Sequence, residues 1–248
     1  MHISKNHRTR QIPSGVRDRL RAHYGWLWSA AIARIRAGIP EVDPILQAGV
    51  PDRRRGLTVI ARPSLEVRHR VTEFLRELRK LEPEQHYYTA SEFHVTILTL
   101  FTATVNPGTF LAKKRNYLYV VDAALRKVRP IRIEFEGVTA SPGALMIQGF
   151  FEDEALNDLR DSLRNQLRMR GLGEGLDQRY RLKAAHMTVA RFRAPLGEGG
   201  RFAACLEEAR QRPFGATTVK SLSLVKNDWY MSRRVTETLK RYRLTQSA

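Results

Sequence analysis

One short pattern occurs twice in this 248-residue chain: His94-Val95-Thr96-Ile97 within FHVTILTL, and His186-Met187-Thr188-Val189 within AHMTVARF. Successive side chains of a strand point to opposite faces, so His94 and Thr96 share one face, and His186 and Thr188 share one face of their own strand. Two such strands side by side would line a cleft with two imidazoles and two hydroxyls. An imidazole titrates near neutrality, so one can take a proton while the other gives one. That apparatus suits acid/base chemistry at a phosphodiester without a metal.

Positioning these groups requires two frameworks, and the chain supplies two in the same order. Before the first motif come an apolar run at Leu57–Ala61, a helical pattern from Ser64 to Leu81 with Leu65, Val71, Phe74, Leu75 and Leu78 in phase, and a polar loop. Before the second come ALMIQGFF (144–151), a helical pattern from Glu152 to about Met169 with Leu156, Leu159, Leu163 and Leu167 in phase, and another polar loop. After each motif the order continues with a helical stretch and a strand: 109–128 then 131–138, and 200–211 then 219–225. The spacing predicts a pseudo-duplication of strand, helix, strand, helix, strand.

With the doubled His-x-Thr-apolar motif in matching places, residues 56 to 248 resemble the two-histidine (2H) phosphoesterases, the superfamily of 2'-5' RNA ligase-like proteins and cyclic nucleotide phosphodiesterases. The resemblance implies an α+β, bilobal fold of two antiparallel-sheet lobes, helices outside and a central groove, with His94 and His186 on neighbouring central strands. It also implies a catalytic set of His94, Thr96, His186 and Thr188. The histidines share the acid and base work, and the threonine hydroxyls hold nonbridging phosphate oxygens for in-line attack. No cofactor and no metal are expected.

Composition fits a polyanionic ligand. Lys and Arg number 43 against 25 Asp and Glu, a formal charge of +18, and 34 of the cations are arginine. Such an excess steers anions, and arginine forks onto phosphate better than lysine. The expected partner is an RNA or nucleotide phosphodiester: a 2',3'-cyclic phosphate, an RNA end or a 2'-5' linkage. A basic RNA-binding module without turnover is the alternative, but a binder needs only the cations, and both histidines and threonines are present.

Candidate substrate contacts are Tyr88 just before the first motif, Arg181 within DQRYRLK (177–183), Phe192 after the second motif, and Tyr230 within KNDWYMSRR (226–234). Arg179, Tyr180, Lys183, Tyr87 and Trp229 are further candidates in the same runs. Phe192 has the parity of His186, whereas Arg191 has the opposite parity and is expected to point away from the cleft. GLGEG (171–175) follows a helix rather than a strand, so it reads as a helix C-cap and not as a nucleotide loop. No Walker-type loop and no zinc-ligand spacing occur, which argues against an ATP-dependent ligase.

Residues 1–55 carry 11 Lys or Arg against 4 Asp or Glu. They read as a basic extension with a helix over 26–35 packed on one lobe, followed by a linker punctuated by Pro40, Pro44 and Pro51. Cys205 stands alone in FAACLEEA and is expected to be a small packed residue. No secretory signal and no apolar run of membrane-spanning length is present, so a cytoplasmic monomer is expected.

Overall fold

Ser64 turns the chain from a strand into a helix, its side-chain oxygen accepting the Val67 N–H at 3.3 Å. The computed structural model describes residues 15–178 and 180–245. Helix α1 (Val16–Arg36) and the short α2 (Pro44–Ala48) precede strand β1 (Arg55–Ala61), helix α3 (Leu65–Leu81), the two-residue strand β2 (His86–Tyr87) and β3 (Val95–Thr104). Helices α4 (Gly108–Ala112) and α5 (Lys114–Leu125) lead to β4 (Ile131–Ser141) and β5 (Ala144–Phe150). Then come α6 (Ala155–Met169), β6 (Met187–Arg191), α7 (Gly199–Glu208), β7 (Pro213–Val219), β8 (Ser221–Asn227) and β9 (Glu237–Arg243). Gly171 ends α6 at φ 67°, with the Leu172 N–H returning to the Leu167 carbonyl at 2.9 Å, so GLGEG is a C-cap as expected.

The strands form two antiparallel sheets, ordered β3-β1-β8-β9 and β2-β6-β5-β4-β7. Setting β2 aside, each runs motif strand, first strand of a repeat, third strand, outer strand. The third strands are exchanged: β4 follows the first motif yet joins the second sheet, and β8 follows the second motif yet joins the first. Closure of a tight turn decides the pairing of β4, because only Pro142 and Gly143 separate it from β5, and short loops close at least entropic cost. The motif strands therefore sit in different sheets, β3 at an edge and β6 between β2 and β5, rather than as paired neighbours.

Helices α5 and α6 pack together beside the first sheet, while α3, α7 and α1 pack beside the second. The expected helix at 109–128 is two, α4 and α5, meeting at Lys113. Helix α1 buries Leu20, Tyr24, Ala31 and Ile35, spaced along one face, against the second sheet and α7. Residues 41–52 lie along the body. Glu41 N–H bonds the Pro142 carbonyl, Asp43 N–H the Phe192 carbonyl, and Asp52 accepts the Trp229 N–H. No helix among the described residues is long and apolar enough to cross a membrane.

Candidate active site

Both motif strands carry a β-bulge at the same point. In the β1–β3 pair, Val59 faces Leu98 and Ile60 faces Thr96, so Ile97 is the extra residue; in the β5–β6 pair, Leu145 faces Ala190 and Met146 faces Thr188, so Val189 is extra. One inserted residue reverses the alternation beyond it. Thr99 therefore returns to the face of Thr96, and Arg191 returns to the face of Thr188.

One groove is lined by His94, Thr96 and Thr99 from the first motif segment and by His186, Thr188 and Arg191 from the second. Thr58 of β1, Tyr88, Tyr180, Asn227, Trp229 and Met231 complete much of its wall. The four motif side chains thus meet at one site. Arg191 reverses its sequence expectation, and the Val189 bulge is the cause. The same bulge sends Phe192 to the other face, where it is 1% exposed within the hydrophobic core and absent from the groove wall.

The other candidates divide. Tyr88 lines the groove and its hydroxyl accepts from Arg191 Nε at 3.0 Å. Tyr87 is buried and donates its hydroxyl to the Glu82 carbonyl. Arg181 is an exposed partner of Asp161 at 2.8 Å and is not on the wall. Tyr230 donates to Asp43 Oδ1 at 2.7 Å and is not on the wall either, whereas its neighbour Trp229 is. Arg54 lies 4.8 Å over the Trp229 ring and Arg191 lies 5.6 Å from its centroid. Lys183 is exposed and off the wall, and Arg179 lies outside the described residues.

The two imidazoles are held differently. His94 Nδ1 is 2.8 Å from the Glu92 carbonyl, which can only accept, so Nδ1 carries the proton and Nε2 keeps the lone pair. His186 Nδ1 is buried with no hydrogen-bond partner among the described residues. Burial pushes the pKa of each down to about 4 from an ordinary 6.5; Arg62 and Arg191 add to the effect at His94, and Arg160, His23, His94 and Arg191 add to it at His186. Both rings are neutral in the free protein at neutral pH.

Arg160, fully buried on α6, ties the two motif segments together. Its Nε donates to the Ile97 carbonyl at 2.9 Å, and its Nη2 to the Thr96 and Ala184 carbonyls at 3.0 and 2.8 Å. Burial, with Arg164 beside it, lowers its pKa to about 9. The sequence did hold a signal for it: Arg160 and Arg164 fall on the apolar stripe of Leu156, Leu163 and Leu167, where a solvated arginine does not belong. Arg191 is half-buried and has no ion-pair partner among the described residues, which leaves a guanidinium on the groove wall for an incoming anion. No group of three or more His, Cys, Asp or Glu among the described residues is placed to hold a metal.

Residues 63–229 match the model of the 2'-5' RNA ligase superfamily. Among solved structures, TT0787 of Thermus thermophilus shares 20% identity at a TM-score of 0.54, the match covering 76% of this chain and 97% of that one. Escherichia coli LigT complexed with ATP shares 15% identity at a TM-score of 0.51, covering 78% and 99%. LigT complexed with 3'-AMP shares 14% at 0.51, with the same coverage. No curated protein sequence matches significantly. At these identities the structural likenesses speak to the fold alone.

Proposed function

The chain belongs to the 2'-5' RNA ligase superfamily, and from that premise we propose that it is a metal-independent phosphodiesterase of RNA ends or oligonucleotides, working by paired-histidine acid/base catalysis. The substrate is a 2',3'-cyclic phosphate or a 2'-5' linkage. The observation that carries the reading is the convergence of His94, Thr96, His186 and Thr188 on one groove, with the Val189 bulge adding Arg191, which has no ion-pair partner among the described residues, to the same wall. LigT, of the same fold, is known in complexes with ATP and with 3'-AMP, which supports a nucleotide as the occupant here.

In the hydrolytic direction, one neutral imidazole removes a proton from water as its oxygen attacks phosphorus. The other, as imidazolium, protonates the departing ribose oxygen. Thr96 and Thr188 donate to nonbridging oxygens, and Arg191 offsets the charge that builds on them. An imidazolium is disfavoured in the free groove, first by burial and then by the surrounding arginines. A bound phosphate anion reverses that balance and raises the acid's pKa. The charged acid thus forms when substrate arrives. Tyr88 and Trp229 supply aromatic surface for a base beside the phosphate.

The test is to incubate chelator-treated protein with cyclic nucleotides, RNA bearing a 2',3'-cyclic phosphate end and 2'-5' oligonucleotides, and to identify the products. Release of a ribose phosphomonoester in EDTA is expected. RNA binding with no product at any pH would replace the enzyme with a binding module.

A further inference from the structure

Strand β6 begins only at Met187, so His186 and the residues just before it lie outside the ladder. Side chains hold that stretch instead. From α6, Arg164 Nη2 donates to the Leu182 carbonyl at 3.3 Å and Arg160 Nη2 to the Ala184 carbonyl at 2.8 Å. A third support comes from the far end of the chain.

Tyr24 of α1 is fully buried. Its hydroxyl donates to the Gly149 carbonyl at 2.9 Å and accepts the Gly149 N–H at 3.1 Å, so one side chain clamps both polar groups of that glycine. The junction is tight: a Cβ on Gly149 would stand 2.0 Å from the Ala185 carbonyl oxygen, so only glycine lets the two backbones meet there. Tyr24 is itself fixed from two sides. Thr139 Oγ1 donates to its carbonyl at 2.9 Å, and its ring meets Phe150 edge-on at 5.5 Å.

We propose that Tyr24 is a positioning residue for His186, so that helix α1, which lies outside the family-matched residues 63–229, supplies part of the scaffold of the acid/base pair. The inference rests on the reading of His186 as one of that pair. Tyr24 clamps the Gly149 backbone, Gly149 abuts the Ala185 carbonyl, and Ala185 precedes His186, so a hydroxyl that fixes Gly149 fixes the surface on which the His186 segment rests. The charged and titratable groups acting on that ring are Arg160 from α6, His23 from α1, His94 and Arg191. Loosening the segment admits water among them, which solvates the imidazolium and raises its pKa.

The experiment is Tyr24→Phe, which removes one hydroxyl and keeps the ring, with both imidazoles followed by NMR titration and turnover measured on the best substrate. Leu20→Ala, buried on the same helix, serves as the control for lost packing. In Tyr24→Phe the His186 titration should move up by about one unit while His94, held by its own bond to Glu92, stays. Its kcat should fall roughly tenfold with KM within about twofold. Leu20→Ala should lose stability with both titrations unmoved. If Tyr24→Phe does not fold, Thr139→Val, which frees the Tyr24 carbonyl, should show the same selective shift. A folded Tyr24→Phe with both titrations unchanged overturns the proposal. Absence of turnover in the wild type would sink the proposed function, and the NMR titration would still decide the role of Tyr24.

Discussion

Ile97 and Val189 hold the same place in the two halves of the molecule: each is the extra residue of a bulge, three positions after its histidine, and each turns the side chain two positions further on into one groove. In the first half that side chain is Thr99, and in the second it is Arg191. The bulges thus give a symmetric framework an asymmetric charge. The cationic side of the groove lies toward β6.

Arg191→Ala should therefore lower kcat/KM by about 100-fold, the scale of a lost charge-assisted contact to phosphate. Arg191→Lys should recover part of it, since a point charge replaces the fork. Steady-state kinetics on a cyclic-phosphate substrate checks this. Equal kcat/KM in wild type and Arg191→Ala would remove Arg191 from the phosphate site.

His94→Ala and His186→Ala should each reduce kcat by about 100-fold to 10,000-fold with folding intact, the usual contribution of a general acid or base. Thr96→Ala and Thr188→Ala should cost less, because each removes one neutral hydrogen bond. Activity should survive EDTA. Loss in EDTA restored by a divalent ion would contradict the metal-independent scheme.

The four motif residues were legible because their shared faces depend only on the two-residue period of a strand, which holds from His to Thr before the bulge begins. Arg191 and Phe192 lie beyond the bulge, where the face is set by the register against β5, a contact no local pattern announces. The exchange of β4 and β8 escaped for the same reason. Strand β7 hides behind Gly215 at φ 98° and a polar TT pair, and β9, reading Glu-Thr-Leu-Lys-Arg-Tyr-Arg, is an edge strand whose exposed cations mask its alternation.

Arg160→Met should destabilise the fold by about 3 kcal/mol or more, since it strands the Thr96, Ile97 and Ala184 carbonyls in the interior. Urea unfolding at neutral pH measures it. A loss below about 1 kcal/mol would mean that water replaces the guanidinium and that the two motif segments do not depend on it.

Acid should weaken the protein over a defined window. Burial holds both imidazoles near pKa 4 against an ordinary 6.5, so between those values the unfolded chain binds more protons than the folded one. Stability contributed by the neutral rings is complete above pH 6.5 and declines as pH falls toward 4. Unfolding midpoints across that range should drop in the wild type and drop less in His94→Gln and His186→Gln. Parallel slopes in all three proteins would place the acid sensitivity elsewhere.

The same depressed values set the pH dependence of turnover. The profile of kcat/KM reports the free protein, in which the pair titrates low, so its optimum should be acidic. The profile of kcat reports the complex, in which the phosphate anion stabilises the imidazolium against Arg160, Arg62 and Arg191. Its bell should therefore lie at higher pH, with the alkaline limb displaced most, because that limb marks loss of the acid's proton. A substrate of equal size but lower phosphate charge should show a smaller displacement. Coincident profiles for kcat and kcat/KM would mean that the bound anion does not charge the acid, and that protonation precedes binding.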